Sequence, residues 1–159
     1  MVEVILKEDQ ITGALDRVAA ALTDLSPVMQ DFGEYLITST KARFPTGKAP
    51  DGSTWAAKAL STLLKSSDTR PLFGPTGVLS SQIIAVSGPD SVEVGSNLIY
   101  AAVMQFGAAK GAFGTTGNGS AIPWGNIPAR PFLGISDADE VALLEILQEY
   151  LEEAAANAG

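Results

Sequence analysis

The stretch Ile127-Pro-Ala-Arg-Pro-Phe-Leu-Gly134, followed by Ser136-Asp-Ala-Asp139, decides how the C-terminal part of the chain is organised. Its two prolines fix φ and keep the residues before them away from helical angles, which predicts a stiff, extended arm. Ser136 and Asp139 have the spacing of a capping box, so a helix should begin there. The pattern therefore predicts an arm with an aromatic tip that leads directly into an acidic helix.

Arg130, in the middle of this arm, is the only basic residue after Lys110. Its planar guanidinium suits the binding of a carboxylate. Prolines also occur on edge strands of a sheet, where they block further pairing. Two interpretations therefore stay open at this point, a carboxylate-clamping arm and a proline-guarded edge strand.

The amino-acid composition limits the catalytic and metal-binding chemistry that the chain could perform. The chain has 159 residues, enough for a single domain over 1–159. It has neither Cys nor His, so it lacks thiolate ligands, the commonest metal ligand and the commonest general base. We therefore expect no cofactor, no metal and no enzymatic activity. Residues 1–7 have an acid near the start and no long apolar run, and no later run could span a membrane, so we expect neither a signal peptide nor a membrane partner.

Charge is distributed unevenly along the chain, whose net charge is −8. Residues 1–40 carry −5, residues 41–70 carry +4, residues 71–136 are neutral, and residues 137–159 carry −7 without a single basic residue. A basic middle and an acidic end are typical of head-to-tail contacts between copies, which can close into rings. The alternative is that these are simply solvated faces. An acidic chain of this kind is a poor phosphate binder, so we expect no sequence-specific nucleic-acid binding.

The sequence of the N-terminal third predicts a strand followed by helical structure. Residues 2–7 alternate and predict a short strand. From residue 8 onward one apolar stripe continues without a break, and it predicts either two helices nearly in line, with Ser26 as N-cap and Pro27 in the first turn, or one kinked helix. The helix should end near residues 43–45. The stripe consists of Ile11, Leu15, Val18, Leu22, Leu25, Met29, Phe32 and Leu36.

The middle of the chain alternates loops with short elements. Residues 82–87 and 91–95, joined by a Gly-Pro-Asp turn, predict a β-hairpin. Short helices are predicted over residues 56–65 and 98–107, and one helical turn over residues 77–81.

Two long loops separate these elements, about 45–76 and 108–126, and we expect both to be mobile or ordered by a partner. Each loop carries a tryptophan. We expect Trp55 to join the core and Trp124 to anchor a partner.

The last helix is predicted from Asp137 to about Ala156, with acids in its first turn where the dipole favours them. With the hairpin and the N-terminal helices it predicts an α+β fold. In that fold, a small antiparallel sheet is packed by a long N-terminal helix, or helix pair, and by the C-terminal helix, with long loops between.

Several motifs in order resemble the tailed-bacteriophage virion morphogenesis or tail completion family, as in Mu-like and P2-like phages. Relatives often carry His before the Gln-Phe-Gly segment, where this chain has Met104, so any role of that His is in doubt here. The motifs are Ala49-Pro-Asp-Gly-Ser-Thr-Trp-Ala56, Pro71-Leu-Phe-Gly-Pro-Thr-Gly-Val-Leu79 with Ser80-Ser-Gln-Ile83, Val92-Glu-Val-Gly95, Tyr100-Ala-Ala-Val-Met-Gln-Phe-Gly107 and Ile127-Pro-Ala-Arg-Pro-Phe-Leu-Gly134.

The resemblance implies a structural protein of the phage neck, a tail completion or head–tail joining subunit that forms a ring at the head–tail interface. We expect that ring to be hexameric, to bind the tail-tube protein and head-side connector or stopper proteins, and to let DNA pass. It would be assembled in the host cytoplasm and found in the virion. As interface residues we expect Arg130, Phe132, Trp124, Lys41, Arg43, Asp139 and Glu140.

Three alternatives stay open. A tail terminator ring capping the tail tube would use the same contacts, and an assembly chaperone would never enter the particle. A carboxylate-dependent hydrolase would need a pocket holding two acids with raised pKa.

Overall fold

Two helices carry the N-terminal apolar stripe. In the computed structural model, which describes residues 8–157 and the side chains of residues 11–157, α1 spans Glu8–Thr23 and α2 spans Ser26–Thr46. The predicted helix pair is confirmed, and the alternative of one kinked helix is wrong. The strand predicted over residues 2–7 lies outside the described residues.

The start and end of α2 differ slightly from the prediction. Leu25, not Ser26, is the N-cap, while Pro27 lies in the first turn as expected. The Asp24 carboxylate accepts the N–H of Ser26 at 2.9 Å and so caps the turn from outside. The helix continues past Pro45 to Thr46, and Gly47 ends it in a left-handed conformation with its N–H donating to the Arg43 carbonyl.

The hairpin is confirmed and packs on α2. Strand β1 spans Ile84–Ser87 and pairs antiparallel with β2, Val92–Gly95, with Ile84 opposite Gly95. Gly33 of α2 lies directly beneath β1: a Cβ there would come within 2.9 Å of the Ala85 Cβ. A glycine at this position therefore lets the helix and the sheet approach closely.

Three short helices connect these elements: α3 is Leu60–Leu63, α4 is Val78–Ser81 and α5 is Ala101–Phe106. The turn predicted over residues 77–81 is confirmed. The helix predicted over residues 98–107 begins later, at Ala101, and ends before Gly107 as expected. The helix predicted over residues 56–65 shrinks to α3, because the carbonyls of Ala56 and Ala57 accept hydrogen bonds from a distant arginine instead of forming the first helical turn.

The C-terminal helix α6, Asp137–Ala156, has the predicted start. Ser136 and Asp139 form the reciprocal capping box. The helix packs against α1 and α2. Arg17 donates to the Ala155 carbonyl at 3.0 Å, which places a cation at the C-terminal end of α6, where the helix dipole favours it.

An aromatic cluster forms the core between α2, the arm and the loop after α2. Phe44 and Phe132 are fully buried, with their ring centroids 5.6 Å apart, and Trp55 packs edge-on against Phe44 at the same distance. The predicted core position of Trp55 is confirmed. With the two-stranded antiparallel sheet and the flanking helices, the predicted α+β fold is confirmed as well. Within residues 8–157, no helix has the length and apolar character to cross a bilayer.

Candidate functional site

The arm, residues 127–134, is extended but does not belong to the β1–β2 sheet. Ile127 exchanges both backbone hydrogen bonds with Ala108, and the Arg130 N–H donates to the Met104 carbonyl at 2.8 Å. The edge-strand interpretation is therefore wrong, since the arm is held by α5 and the residues just after it rather than by a neighbouring strand.

A single glutamine side chain holds the tip of the arm. The Gln105 Oε1 accepts the N–H groups of Phe132 at 2.9 Å and Leu133 at 3.0 Å, and its Nε2 donates to the Leu133 carbonyl at 3.1 Å. Sequence analysis did not single out Gln105, because no local pattern distinguishes an amide that binds backbone 27 residues away from one exposed to solvent.

Arg43 and Asp139 join α2, the arm and α6 in one buried polar cluster. The Arg43 Nη1 donates to the carbonyls of Phe132 at 2.8 Å and Gly134 at 2.9 Å, and its Nη2 forms an ion pair with the Asp139 carboxylate. Ser39 also donates to that carboxylate. The cluster therefore fixes the direction in which the arm enters α6.

The Asp139 carboxyl is only 1% exposed. Burial alone would raise the pKa of Asp139, but the hydrogen bonds from Ser39 and Ser136, together with the charge of Arg43, outweigh burial and lower it. Asp139 is therefore ionised under ordinary conditions and completes the ion pair.

Arg130 does not clamp a carboxylate in the described structure, contrary to the sequence-based interpretation. Its side chain is buried, and its Nε and Nη2 donate to the carbonyls of Ala56 at 2.6 Å and Ala57 at 2.7 Å. Burial lowers the pKa of Arg130. The carboxylate-binding role expected of Arg130 is performed by Arg43.

The interface candidates thus divide into two groups. Arg43, Arg130, Phe132 and Asp139 are buried within the subunit and make their hydrogen bonds or packing contacts there. They can affect a contact surface from within the subunit by positioning the arm and α6, and Arg130 also by contributing positive charge to the surface that it lines. Lys41, Glu140 and Trp124 are exposed and can reach a neighbour directly. The sequence did not separate the groups, because an aromatic or an arginine flanked by prolines suits a core and an interface equally.

The loop over residues 108–126 makes backbone hydrogen bonds within itself. Phe113 N–H donates to the Ile122 carbonyl and Ile122 N–H to the Gly114 carbonyl, both at 2.8 Å, and Thr115 bridges Ala121. The loop presents large apolar side chains to solvent, including Phe113 and Trp124, which is 79% exposed. Large exposed aromatic side chains on one loop are candidates to anchor a partner.

A groove of about 850 Å³ runs between the segment over residues 57–79, α5 and the arm. We call it the arm groove. Apolar side chains line much of it, among them Leu72, Phe73, Tyr100 and Met104, and its charged lining residues are all basic: Lys58, Lys65 and Arg130. Sequence analysis grouped two of these lysines into a basic segment but did not predict a groove, since its walls come from three separate parts of the chain.

A second apolar surface lies on the outer side of α6, in a shallow depression formed by Leu144, Leu147, Leu151 and Ala155. Leu144 and Val141 are mostly exposed, as are Leu15 and Leu22 of α1. The apolar face of this helix is therefore only partly covered by α1 and α2.

Few of the charged side chains that the structure describes form ion pairs. Among the side chains of residues 11–157 the pairs are Arg43 with Asp139 and, at the surface, Arg70 with Asp68. The other acids of α6 have no basic partner in that part of the chain. Nor do its acidic side chains gather in a group of three or more that could hold a metal ion.

Comparison with known proteins identifies the family of this chain. Residues 6–152 match the phage virion morphogenesis family. The chain is 30% identical over 153 residues to "Mu-like prophage FluMu G protein 2" of Haemophilus influenzae, covering 96% of this chain and 97% of that protein. No solved structure matches this chain. The chain belongs to the phage virion morphogenesis family and has a role in the assembly of phage tails or virions.

Proposed function

We propose that this protein is a subunit of the phage neck, a tail completion or head–tail joining protein that forms a ring at the head–tail interface. In this role it acts by position alone, through contacts with further copies, with the tail-tube protein and with connector or stopper proteins on the head side. The ring, which we take to be hexameric, leaves a passage for DNA.

The observation that carries this proposal is that one subunit exposes charged and apolar side chains that its own described residues neither pair nor cover. Residues 41–70 are basic and residues 137–159 are acidic, yet Arg43 with Asp139 is the ion pair that joins the two segments within the described residues. Apolar groups on α6 and on the loop over residues 108–126 also remain exposed. Two different surfaces of opposite charge on one subunit favour head-to-tail contacts, which close into a ring when the rotation allows it.

A deletion experiment tests the position in the particle. Phage lacking the gene should accumulate filled heads and separate tails, as seen by electron microscopy of lysates, and the wild-type gene supplied in trans should restore joined particles. Mass spectrometry of purified virions should detect the protein. Its absence from complete virions would instead favour an assembly chaperone and would contradict the neck proposal.

Salt dependence tests the ring contact itself. Surface charge contacts weaken as the Debye length falls from about 10 Å at 0.1 M salt to about 3 Å at 1 M. Sedimentation velocity should therefore show larger species at low salt and smaller ones at high salt. Identical sedimentation in both conditions would contradict a contact based on opposite charge.

A further inference from the structure

The arm groove contains cationic side chains that form no ion pair within the described part of the subunit. Arg130 is 7% exposed, and its hydrogen-bond partners are the carbonyls of Ala56 and Ala57. The Lys58 ammonium donates to the carbonyls of Asp68 at 2.7 Å and Phe73 at 2.6 Å. Neither cation forms an ion pair with a carboxylate among the side chains described, those of residues 11–157, in contrast to Arg43.

This arrangement makes the groove selective for acidic partners. Burial of an unpaired cation is unfavourable, and a carboxylate brought to the groove would relieve that cost. Lys65, on the exposed rim, adds a third positive charge, and no Asp or Glu lines the groove. Apolar side chains provide the rest of the lining, so the best ligand combines apolar groups with acids.

The outer face of α6 has this combination. Leu144, Leu147 and Leu151 form its apolar row. Glu140, four residues before Leu144, continues that row by one turn, and Glu152 lines the same depression beside Leu151. Both glutamates are exposed and belong to no ion pair in the described part of the chain. An amphipathic helix that lays its apolar face into a groove is a common mode of protein recognition.

We propose that the outer face of α6 of one copy docks into the arm groove of the next copy. The inference rests on the proposed ring, because it names the two surfaces that meet at each subunit contact. The groove and the outer face of α6 are different surfaces built from different elements, so the contact is heterologous and each subunit uses one surface on each neighbour. Leu144 and Leu151 fill the apolar lining, while Glu140 and Glu152 approach the basic rim.

Single cysteines test the contact directly, because the chain has no Cys of its own. Lys65→Cys protein and Glu152→Cys protein, one of them carrying a tag that changes its mass, are mixed at low salt and treated with a short bis-maleimide. Docking holds the two sites at a high effective concentration, so the mixed cross-link should exceed that of a non-contacting pair by at least about tenfold. The matched control mixes Lys65→Cys with Glu93→Cys, an exposed acid on β2 outside both surfaces.

Charge reversal provides the second test. Lys65→Glu and Glu152→Lys should each weaken self-association by roughly five- to tenfold, since each places like charges together, and the double variant should recover part of the loss. Glu93→Lys makes the same change in charge as Glu152→Lys, on β2 outside both surfaces, and should have little effect. Circular dichroism of each variant verifies that the subunit is folded.

The outcomes separate this inference from the proposed function. If native mass spectrometry finds a ring but the mixed cross-link does not exceed the control, the inference is wrong and the ring stands. If cross-links between two Glu152→Cys copies dominate, α6 pairs with itself and the inference is again wrong. If no oligomer forms and the protein is absent from virions, both the inference and the proposed function are wrong.

Discussion

Arg43 on α2 and Asp139 at the start of α6 form a buried ion pair between residues 96 positions apart in the chain. The same arginine binds two carbonyls of the arm, and the same aspartate closes the capping box of α6. One pair of side chains therefore fixes three elements relative to each other.

Asp139→Asn should lower the free energy of unfolding by about 3–5 kcal/mol, because it leaves the buried Arg43 without a counter-charge. Urea denaturation monitored by circular dichroism measures this loss. Glu140→Gln, an equivalent change at the exposed neighbouring position, should stay within about 0.5 kcal/mol of the wild type. Equal stability of the two variants would show that the ion pair contributes nothing.

The same carboxylate makes stability depend on pH. The pKa of Asp139 is lowered in the folded state from its ordinary value of 3.8, so its ionised form stabilises the fold above that pH. This contribution should be lost as the pH falls below about 3.8 and through the lower folded pKa.

Urea titrations between neutral pH and pH 3 measure that loss. The difference in unfolding free energy between the wild type and Asp139→Asn should narrow on acidification. A constant difference over the whole range would contradict the assignment, since asparagine cannot take up a proton in this range.

Gly107→Ala should destabilise the junction between α5 and the arm. A Cβ at this position would lie 2.6 Å from the Ile127 carbonyl oxygen and 2.8 Å from the Ala129 nitrogen, and φ is +74°. Steric conflict with backbone and an unfavourable φ together should cost about 1–3 kcal/mol or more.

Gly117→Ala is the matched control, because a Cβ there meets no atom within 4 Å. Thermal unfolding of both variants, followed by differential scanning calorimetry, should show a clear drop in Tm for Gly107→Ala and little change for Gly117→Ala. Similar Tm values would contradict the close approach of arm and helix.

Trp124→Ala should leave the stability of the subunit nearly unchanged and weaken its assembly, because this side chain is exposed and in position to contact a partner. Trp55→Ala should instead destabilise the subunit by about 3–5 kcal/mol, since it opens a cavity beside Phe44. It also removes the hydrogen bond from the indole Nε1 to the Pro131 carbonyl.

Fluorescence offers a direct measurement of the same difference. In a Trp55→Phe variant the emission comes from Trp124 alone, and it should shift to shorter wavelength when subunits assemble at low salt. A Trp124→Phe variant reports only the buried indole and should show no such shift. If neither emission changes on assembly, Trp124 does not lie at a subunit contact.

Local signals in the sequence predicted much of the fold. The capping box of Ser136 and Asp139, the hairpin turn and the proline near the start of α2 are each decided within a few residues, so their elements lie where expected. The boundaries of a helix differ from the prediction where a distant side chain binds the backbone carbonyls that the helix would need. This occurs at Ala56 and Ala57, whose carbonyls accept hydrogen bonds from Arg130.

The candidate site was less predictable, because it depends on pairs far apart in the chain. The sequence around Arg43 and Arg130 does not indicate which of the two binds a carboxylate, because the packing of the arm determines the partner of each. Trp55 and Trp124 lie in similar loops rich in proline and glycine, and the difference in their burial likewise arises only when the chain has folded.

The amide of Gln105 also determines what the arm cannot do. It satisfies the donors of Phe132 and Leu133 and the Leu133 acceptor, so these backbone groups are not free to pair with a strand. That flank of the polypeptide is consequently closed to β-addition by a foreign chain, a frequent starting point for amyloid-like stacking. The tip of the arm is thus protected against uncontrolled addition of further chains.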